Sequence, residues 1–271
     1  MKSSFVEPDL SKDQHFMTNE KTVEKIVSAA KLKRKDKVLE IGAGTGILTR
    51  LIAREADRVI AVEMDRRFKK VLGKIDSGNV EIIYGNALDV IDGIEFDKMV
   101  SNIPYSICEP LVGKLMKKAF ALAVMSVPEG FYRTLAAKPG EKDYSLLTLK
   151  ANSSFEVSLE MQIKKEDFEP QPKTESVVIA LKPLSSKAYM KKPENFIFRE
   201  LFLQRTKKLK NALMEALINF NKKILSRAFT KKMARAVIAD MNLGRALLEK
   251  ETGHMTLKDF ESIRKKITRF S

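Results

Sequence analysis

The sequence predicts two parts: an α/β domain built on a doubly wound, mostly parallel sheet, and a smaller all-helical domain after it. Three observations predict this. Over the first 185 residues, short apolar β-type runs alternate with segments whose apolar residues recur at helical spacing. One of those runs ends in a G-x-G-x-G turn that leads directly into a helical pattern. Beyond the stretch 183–195, PLSSKAYMKKPEN, every apolar pattern is helical. The domains are therefore drawn as 1–185 and 186–271.

Taken in order, residues 20–31 place Val23, Ile26, Val27 and Ala30 on one helical face. KVLEIGAGTG reads as a strand closed by Gly42, Gly44 and Gly46, and ILTRLIAREA as the helix that follows. RVIAVEMD is a second strand, RRFKKVLGKI a second helix, VEIIYGNALD a third strand and FDKMVSNIPY a fourth. AFALAVMSV and PEGFYRTLAA give a fifth strand and a helix. Such alternation favours parallel strands with crossover helices. SSFEVSLEMQI and SVVIALKP then follow with no helix between them, so an antiparallel edge is expected. The remaining segments, FIFRELFLQRTKKLKNALMEAL, KKMARAVIADM, GRALLEK and LKDFESIRKKITRF, are amphipathic helices.

The chain carries 50 Lys and Arg against 35 Asp and Glu, a net charge of +15 over 271 residues. Residues 186–271 hold 21 of the basic and 8 of the acidic residues, so nearly all the excess lies in the helical part. A basic module joined to a near-neutral one suits a polyanionic partner. Cys108 is the single cysteine and His15 and His254 the two histidines, which excludes an intrachain disulfide and gives no cysteine or histidine cluster for a metal. The N-terminal MKSSFVEPDLSKDQHF has no apolar core of a signal peptide, and Ala119–Val127 is too short to span a bilayer. A cytoplasmic, monomeric protein without membrane or metal is expected.

Two sites carry chemistry. The glycines let the backbone turn tightly and approach a ligand beside helix N–H groups. Glu63 ends the second strand, where a carboxylate can accept from both hydroxyls of a ribose. These features alone admit either a nucleoside-based methyl donor or a dinucleotide. Asn102-Ile103-Pro104-Tyr105 at the end of the fourth strand discriminates. An exocyclic amine on a base is a poor nucleophile because its lone pair is delocalised. The Asn102 amide oxygen and the Pro104 carbonyl can both accept from it, and Tyr105 can stack on an extracted base.

At these residues the chain resembles the ribosomal RNA adenine N6-dimethyltransferases, whose members include small-subunit dimethyladenosine transferases and large-subunit Erm methyltransferases. Gln14-His15-Phe16-Met17 is similar to the family's Q-[NH]-F-L, EIGAGTG to its cofactor loop, NIPY to its N-[LI]-P-[YF] motif, and Phe168-Glu169-Pro170-Gln171-Pro172-Lys173 to its F-x-P-x-P-K. The resemblance implies a Rossmann-like class I methyltransferase domain with a helical C-terminal domain, S-adenosyl-L-methionine as methyl donor, and ribosomal RNA or a small-subunit precursor as partner. It implies that His15, Met17, Gly42, Gly44, Glu63, Asn86 and Asn102 contact the cofactor. Asn102, Pro104 and Tyr105 would act on the base, and Phe168 would cover its other face.

The branches divide over the target. Leu203–Leu213, LQRTKKLKNAL, resembles the small-subunit branch and assigns RNA contacts to Arg205, Lys207, Lys208 and Lys210. Glu129-Gly130-Phe131-Tyr132 looks more like the Erm branch, and Tyr144-Ser145-Leu146-Leu147 stands where the small-subunit branch has Y-G-R-L. Asn86 replaces the family's usual Asp, a weaker acceptor, and Met17 its usual Leu. The expected activity is dimethylation of two neighbouring adenines near the 3′ end of small-subunit rRNA. The alternatives are an Erm-type target in the large subunit and a non-catalytic RNA-binding assembly factor on the same fold.

Overall fold

The structure is a computed structural model that describes residues 6–9, 11, 14–138, 141–184 and 193–267. The chain forms two compact units. One comprises Met1–Ala136 with Glu156–Pro183, the other Ala137–Phe155 with Leu184–Ser271.

The first unit holds a seven-stranded sheet in the order β4-β3-β2-β5-β6-β9-β7. Its strands are β2 (Lys37–Ile41), β3 (Arg58–Glu63), β4 (Val80–Tyr84), β5 (Lys98–Asn102), β6 (Leu122–Pro128), β7 (Phe155–Ile163) and β9 (Ser176–Pro183). β4, β3, β2, β5 and β6 run parallel, and β9 is antiparallel to β6. β2 is buried on both faces, with Val38, Leu39, Glu40 and Ile41 all at most 2 % exposed, which explains why its run is apolar apart from Glu40.

α1 (Glu20–Ala29) begins at Asn19, whose side chain accepts from Lys21 N, and buries Val23, Ile26 and Val27 against the sheet-side core. α2 (Ile47–Glu55) starts immediately after Gly46. The expected helix RRFKKVLGKI is shorter than its pattern: a 3-10 turn at Arg66–Phe68 leads into a single α-turn, α3 (Lys69–Leu72). α4 (Ala87–Val90) and α5 (Cys108–Leu115) follow β4 and β5, and α6 (Glu129–Ala136) follows β6. A two-stranded antiparallel ladder, β1 (Phe16–Met17) with β8 (Phe168–Glu169), has no counterpart in the sequence reading, because two-residue strands leave no periodicity to detect.

The sheet's topology locates the site. β2 pairs with β3 on one side and β5 on the other, so the chain order reverses there, and a ligand crevice is expected at the carboxyl ends of these strands. The β2–β5 ladder stops at Leu39 and Met99, beyond which Ile41 N–H donates to the Ser101 hydroxyl at 2.9 Å rather than to a strand carbonyl. The strand ends thereby separate without leaving the buried donor unpaired.

The second unit is helical: α7 (Leu146–Asn152), α8 (Pro193–Leu203), α9 (Leu209–Lys223), α10 (Lys231–Asp240), α11 (Arg245–Glu249) and α12 (Leu257–Ile267). Residues 137–155, drawn with the first domain from the sequence, belong to this compact unit. Leu149 packs with Ile197, Phe198 and Leu201, and Arg264 donates to the Tyr144 hydroxyl at 2.7 Å. The link between α8 and α9 is clamped by the segment after α11. Leu209 N donates to Lys250 O at 2.8 Å, Thr252 N to Lys207 O at 3.0 Å, and Gly253 N to Arg205 O at 2.8 Å. A Cβ at Gly253 would lie 2.8 Å from Arg205 O, on backbone that these bonds hold in place. Gly253→Ala should therefore destabilise the chain by about 1–3 kcal/mol, the usual cost of overpacking. Urea unfolding reads this as a lower midpoint; an unchanged midpoint would contradict the clamp.

Candidate active site

The glycine loop has its shape because only glycine suits it. Gly42, Gly44 and Gly46 have φ of 78°, 50° and 75°, all in the left-handed region. Space restricts two of them as well. A Cβ on Gly44 would lie 3.0 Å from the Phe16 ring, and one on Gly46 would lie 2.8 Å from Ile75 Cδ1. The loop closes on the sheet through Gly42 N–H, which donates to Val62 O at 2.8 Å.

Glu63, 6 % exposed at the end of β3, accepts from Gly44 N at 2.8 Å through Oε2 and from Asp65 N at 2.7 Å through Oε1. Burial raises its pKa above the usual carboxylate value although both backbone donors favour the charged form. Each oxygen has one lone pair committed, which leaves acceptor capacity for a ligand. Beneath the loop, Glu40 is 1 % exposed and its Oε2 has no hydrogen-bond partner among the described residues. Burial, reinforced by the neighbouring Glu63, pushes Glu40 up to about 8. Asp65 binds the Arg67 guanidinium at 2.6 Å and accepts from Gln14 Nε2 at 3.1 Å, which ties the N-terminal segment to the rim.

Asn102 ends β5. Its Nδ2 donates to His15 O at 2.9 Å. A carbonyl can only accept, so this bond fixes which end of the amide is the nitrogen and leaves Oδ1 on the opposite end as an acceptor. Tyr105 is held by a 2.6 Å hydrogen bond between its hydroxyl and Ser176 Oγ, and its ring lies 5.9 Å from that of His15 at an interplanar angle of 26°. The His15 Nδ1 is 2.8 Å from Pro170 O, so that nitrogen carries a proton and donates. The Pro104 carbonyl accepts from Ile107 N at 3.1 Å and lies 3.8 Å from Cys108 Sγ. One of its two lone pairs is thereby used in the turn that opens α5.

These groups surround one cavity of about 240 Å³, walled by Gln14, His15, Phe16, Gly42, Gly44, Glu63, Asp65, Asn86, Asn102, Ile103, Pro104 and Tyr105 among others. The residues expected from the sequence at 15, 42, 44, 63, 86, 102, 104 and 105 are thus brought together. Asn86 lies at the wall with its Oδ1 accepting from Leu88 N at 3.0 Å, as the N-cap of α4.

Two expected residues are elsewhere. Phe168 is 2 % exposed in the hydrophobic core with Val23, Ile26 and Phe68, not over the cavity. The β1–β8 ladder pairs it with Met17 and turns both side chains inward. Met17 is itself 5 % exposed in the same core, while its strand neighbour Phe16 packs edge-on to Phe68 at the margin of that core and also lines the cavity. Sequence reasoning missed Phe16, Asp65 and Ser176. Asp65 had a signal in its position two residues after Glu63; Ser176, 71 positions from Tyr105, had none.

The cationic residues expected at RNA lie in the second unit. Arg205 is exposed, whereas Lys207 pairs with Glu215 at 2.6 Å, and Lys208 and Lys210 share Glu249 at 2.9 and 2.5 Å. Among the described residues no helix is long and apolar enough to cross a membrane, and no group of three or more His, Cys, Asp and Glu could hold a metal ion.

Residues 10–244 match the family described as ribosomal RNA adenine dimethylase. A protein of Methanosarcina mazei named probable ribosomal RNA small subunit methyltransferase A is 42 % identical over 207 residues, covering 74 % of this chain and 76 % of its own. One of the same name from Pyrococcus furiosus is 36 % identical over 215 residues, 78 % of each chain. Among solved structures, a dimethyladenosine transferase from Plasmodium falciparum superposes with a TM-score of 0.63 at 26 % identity, over 94 % of this chain and 98 % of that one. The 23S rRNA methyltransferase ErmE shares the fold, with a TM-score of 0.58 at 21 % identity over 93 % and 99 %.

Proposed function

The chain belongs to the ribosomal RNA adenine dimethylase family, and from that premise we propose that it dimethylates N6 of adenines in ribosomal RNA with S-adenosylmethionine as methyl donor. The observation that carries the assignment to this cavity is the orientation of Asn102. Its amide nitrogen is committed to His15 O, which presents an oxygen where an amine must be received.

The cavity fits the methyl donor by its chemistry. It combines a glycine loop that no side chain could occupy, a buried carboxylate with acceptor capacity, and polar groups from β4 and β5 around an apolar floor. Glu63 would hold the ribose hydroxyls, Gly42 and Gly44 would admit the donor close to backbone, and His15 and Asn86 would line it. Bound there, the donor supplies an electrophilic methyl group on a sulfonium centre.

The protein's own residues supply positioning and electrostatics. Asn102 Oδ1 accepts one N–H of the adenine amine. The second N–H we assign to a backbone carbonyl of this turn, at Ile103 or at Pro104, whose oxygen keeps a second lone pair beside its bond to Ile107 N. Two acceptors favour a pyramidal nitrogen with its lone pair available for in-line attack. Tyr105, fixed by Ser176, offers the ring on which the extracted base stacks. The nitrogen becomes cationic as it gains the methyl, and its surplus proton then leaves to solvent, so no strong base is required. The second methyl follows by the same route.

For the target we propose two neighbouring adenines near the 3′ end of small-subunit rRNA, supported by the Leu203–Leu213 motif and by small-subunit relatives that are 35–42 % identical. Residues 129–132 favour a large-subunit target. Undermethylated small subunits, large subunits and naked rRNA, incubated in parallel with labelled donor, separate these readings. Label in small-subunit RNA is expected, and label confined to large-subunit RNA would transfer the assignment.

A further inference from the structure

The positive charge of the helical unit is uneven, and the lysines singled out by sequence are not its free ones. The hydrogen bonds from Lys210 and Lys208 hold the Glu249 carboxyl down at about 2, so it stays charged against both lysines. A phosphate arriving at Lys207, Lys208 or Lys210 meets a cation whose charge a neighbouring carboxylate already partly offsets. Binding there gains less than at a cation neutralised only by mobile counterions.

The corner where α9 passes into α10 is different. No Asp or Glu lies between Glu215 and Asp240, whereas Lys222, Lys223, Arg227, Lys231, Lys232 and Arg235 do. All six are exposed, and among the described residues none has an acidic side chain in ion-pair contact. The backbone gathers them. Arg227 N donates to Asn221 O at 3.0 Å, which folds the chain back beside the end of α9, and Ser226 makes the bend with φ 51°. Lys222 and Arg227 share one surface pocket with Phe229. On α10, Arg235 follows Lys231 and Lys232 at four and three residues, so the three lie on one side of the helix. Lys231 and Lys232 also occupy a first turn without an acidic residue, where the helix dipole disfavours cations. This arrangement opposes folding electrostatically and is relieved by a polyanion.

We propose that this α9–α10 corner is the chain's principal contact with the RNA phosphate backbone, one that reads charge rather than bases. The proposal rests on the rRNA reading above and adds to it the surface that holds the substrate.

The test uses the full chain and a fluorescein-labelled RNA hairpin of arbitrary sequence, titrated over a range of salt. Three variants are compared: Lys222→Gln with Lys223→Gln and Arg227→Gln; Lys231→Gln with Lys232→Gln and Arg235→Gln; and Lys207→Gln with Lys208→Gln and Lys210→Gln. Each corner variant should bind about tenfold more weakly and lower the slope of log affinity against log salt by roughly 2, since each lost phosphate contact removes about 0.7–0.9. The 207–210 variant should change the slope less than either. Replacing the four corner lysines by Arg should preserve affinity, because charge is what is read. Affinity for S-adenosylmethionine, measured by calorimetry, should be unchanged in all. If the corner variants keep the parental slope while the parent binds and methylates rRNA, this inference fails and the functional reading stands. If the parent neither binds the hairpin nor methylates rRNA, the functional reading fails as well.

Discussion

Asn102→Ala should lower single-turnover methyl transfer by about 10²–10³-fold, the range seen when one preorganised hydrogen-bonding group aimed at transition-state charge is removed. The expectation follows from what the amide does in each state. In the ground state an adenine amine already satisfies itself with water. As the methyl arrives, its N–H bonds become more acidic and an aligned acceptor gains strength, so the interaction belongs mainly to the transition state. The Asn102 amide costs little to align, because Nδ2 is tethered to His15 O at 2.9 Å before substrate arrives. Asn102→Asp tests the same point from the other side: a carboxylate facing the His15 carbonyl loses the tether and repels it. Both variants should retain measurable S-adenosylmethionine binding by calorimetry. A loss below tenfold in Asn102→Ala would remove Asn102 from the reacting centre.

Glu63→Ala should act on the other ligand, weakening S-adenosylmethionine binding by about 1–3 kcal/mol, or roughly 5- to 150-fold. Two effects add. The ribose hydroxyls lose a charged acceptor, and the N–H groups of Gly44 and Asp65 lose the oxygens that hold the loop. Glu63→Gln keeps one neutral acceptor and should fall between alanine and the parent. The pH dependence has a defined sign. Burial sets the Glu63 pKa above the ordinary value of 4.5, and the ionised form is the better acceptor, so cofactor affinity should decline as pH falls toward that raised value. Affinity that is unchanged by Glu63→Ala in a calorimetric titration would exclude the residue from the cofactor site.

The parts of the site legible in the sequence are those where one local rule determines the outcome. Three glycines between a strand and a helix permit the left-handed turn found there, and Glu63 follows from the end of the next apolar run. NIPY at a strand end was readable because Asn, Pro and Tyr have few shared reasons to be adjacent there. Phe168 and Met17 show where such reading stops. Both belong to family-like motifs, yet the β1–β8 ladder, too short to leave a pattern, turns both into the core. In the helical unit, charge was visible in sequence but pairing was not. Lys208 and Lys210 meet Glu249 across about forty residues, and no spacing rule links them. Residues 137–155 joined the helical unit for the same reason: Tyr144 and Leu149 are held by partners far along the chain.

The central claim is that the Asn102 cavity transfers methyl groups to adenine N6 in ribosomal RNA. The most direct measurement incubates the purified chain and its Asn102→Ala variant with unmodified rRNA and isotopically labelled S-adenosylmethionine, digests the RNA to nucleosides, and identifies the labelled species by mass spectrometry. The expected result is labelled N6,N6-dimethyladenosine with the parent chain, preceded in time by N6-methyladenosine, and neither with the variant. Label on a pyrimidine or a ribose hydroxyl, equal dimethyladenosine from the variant, or no label at all would contradict it.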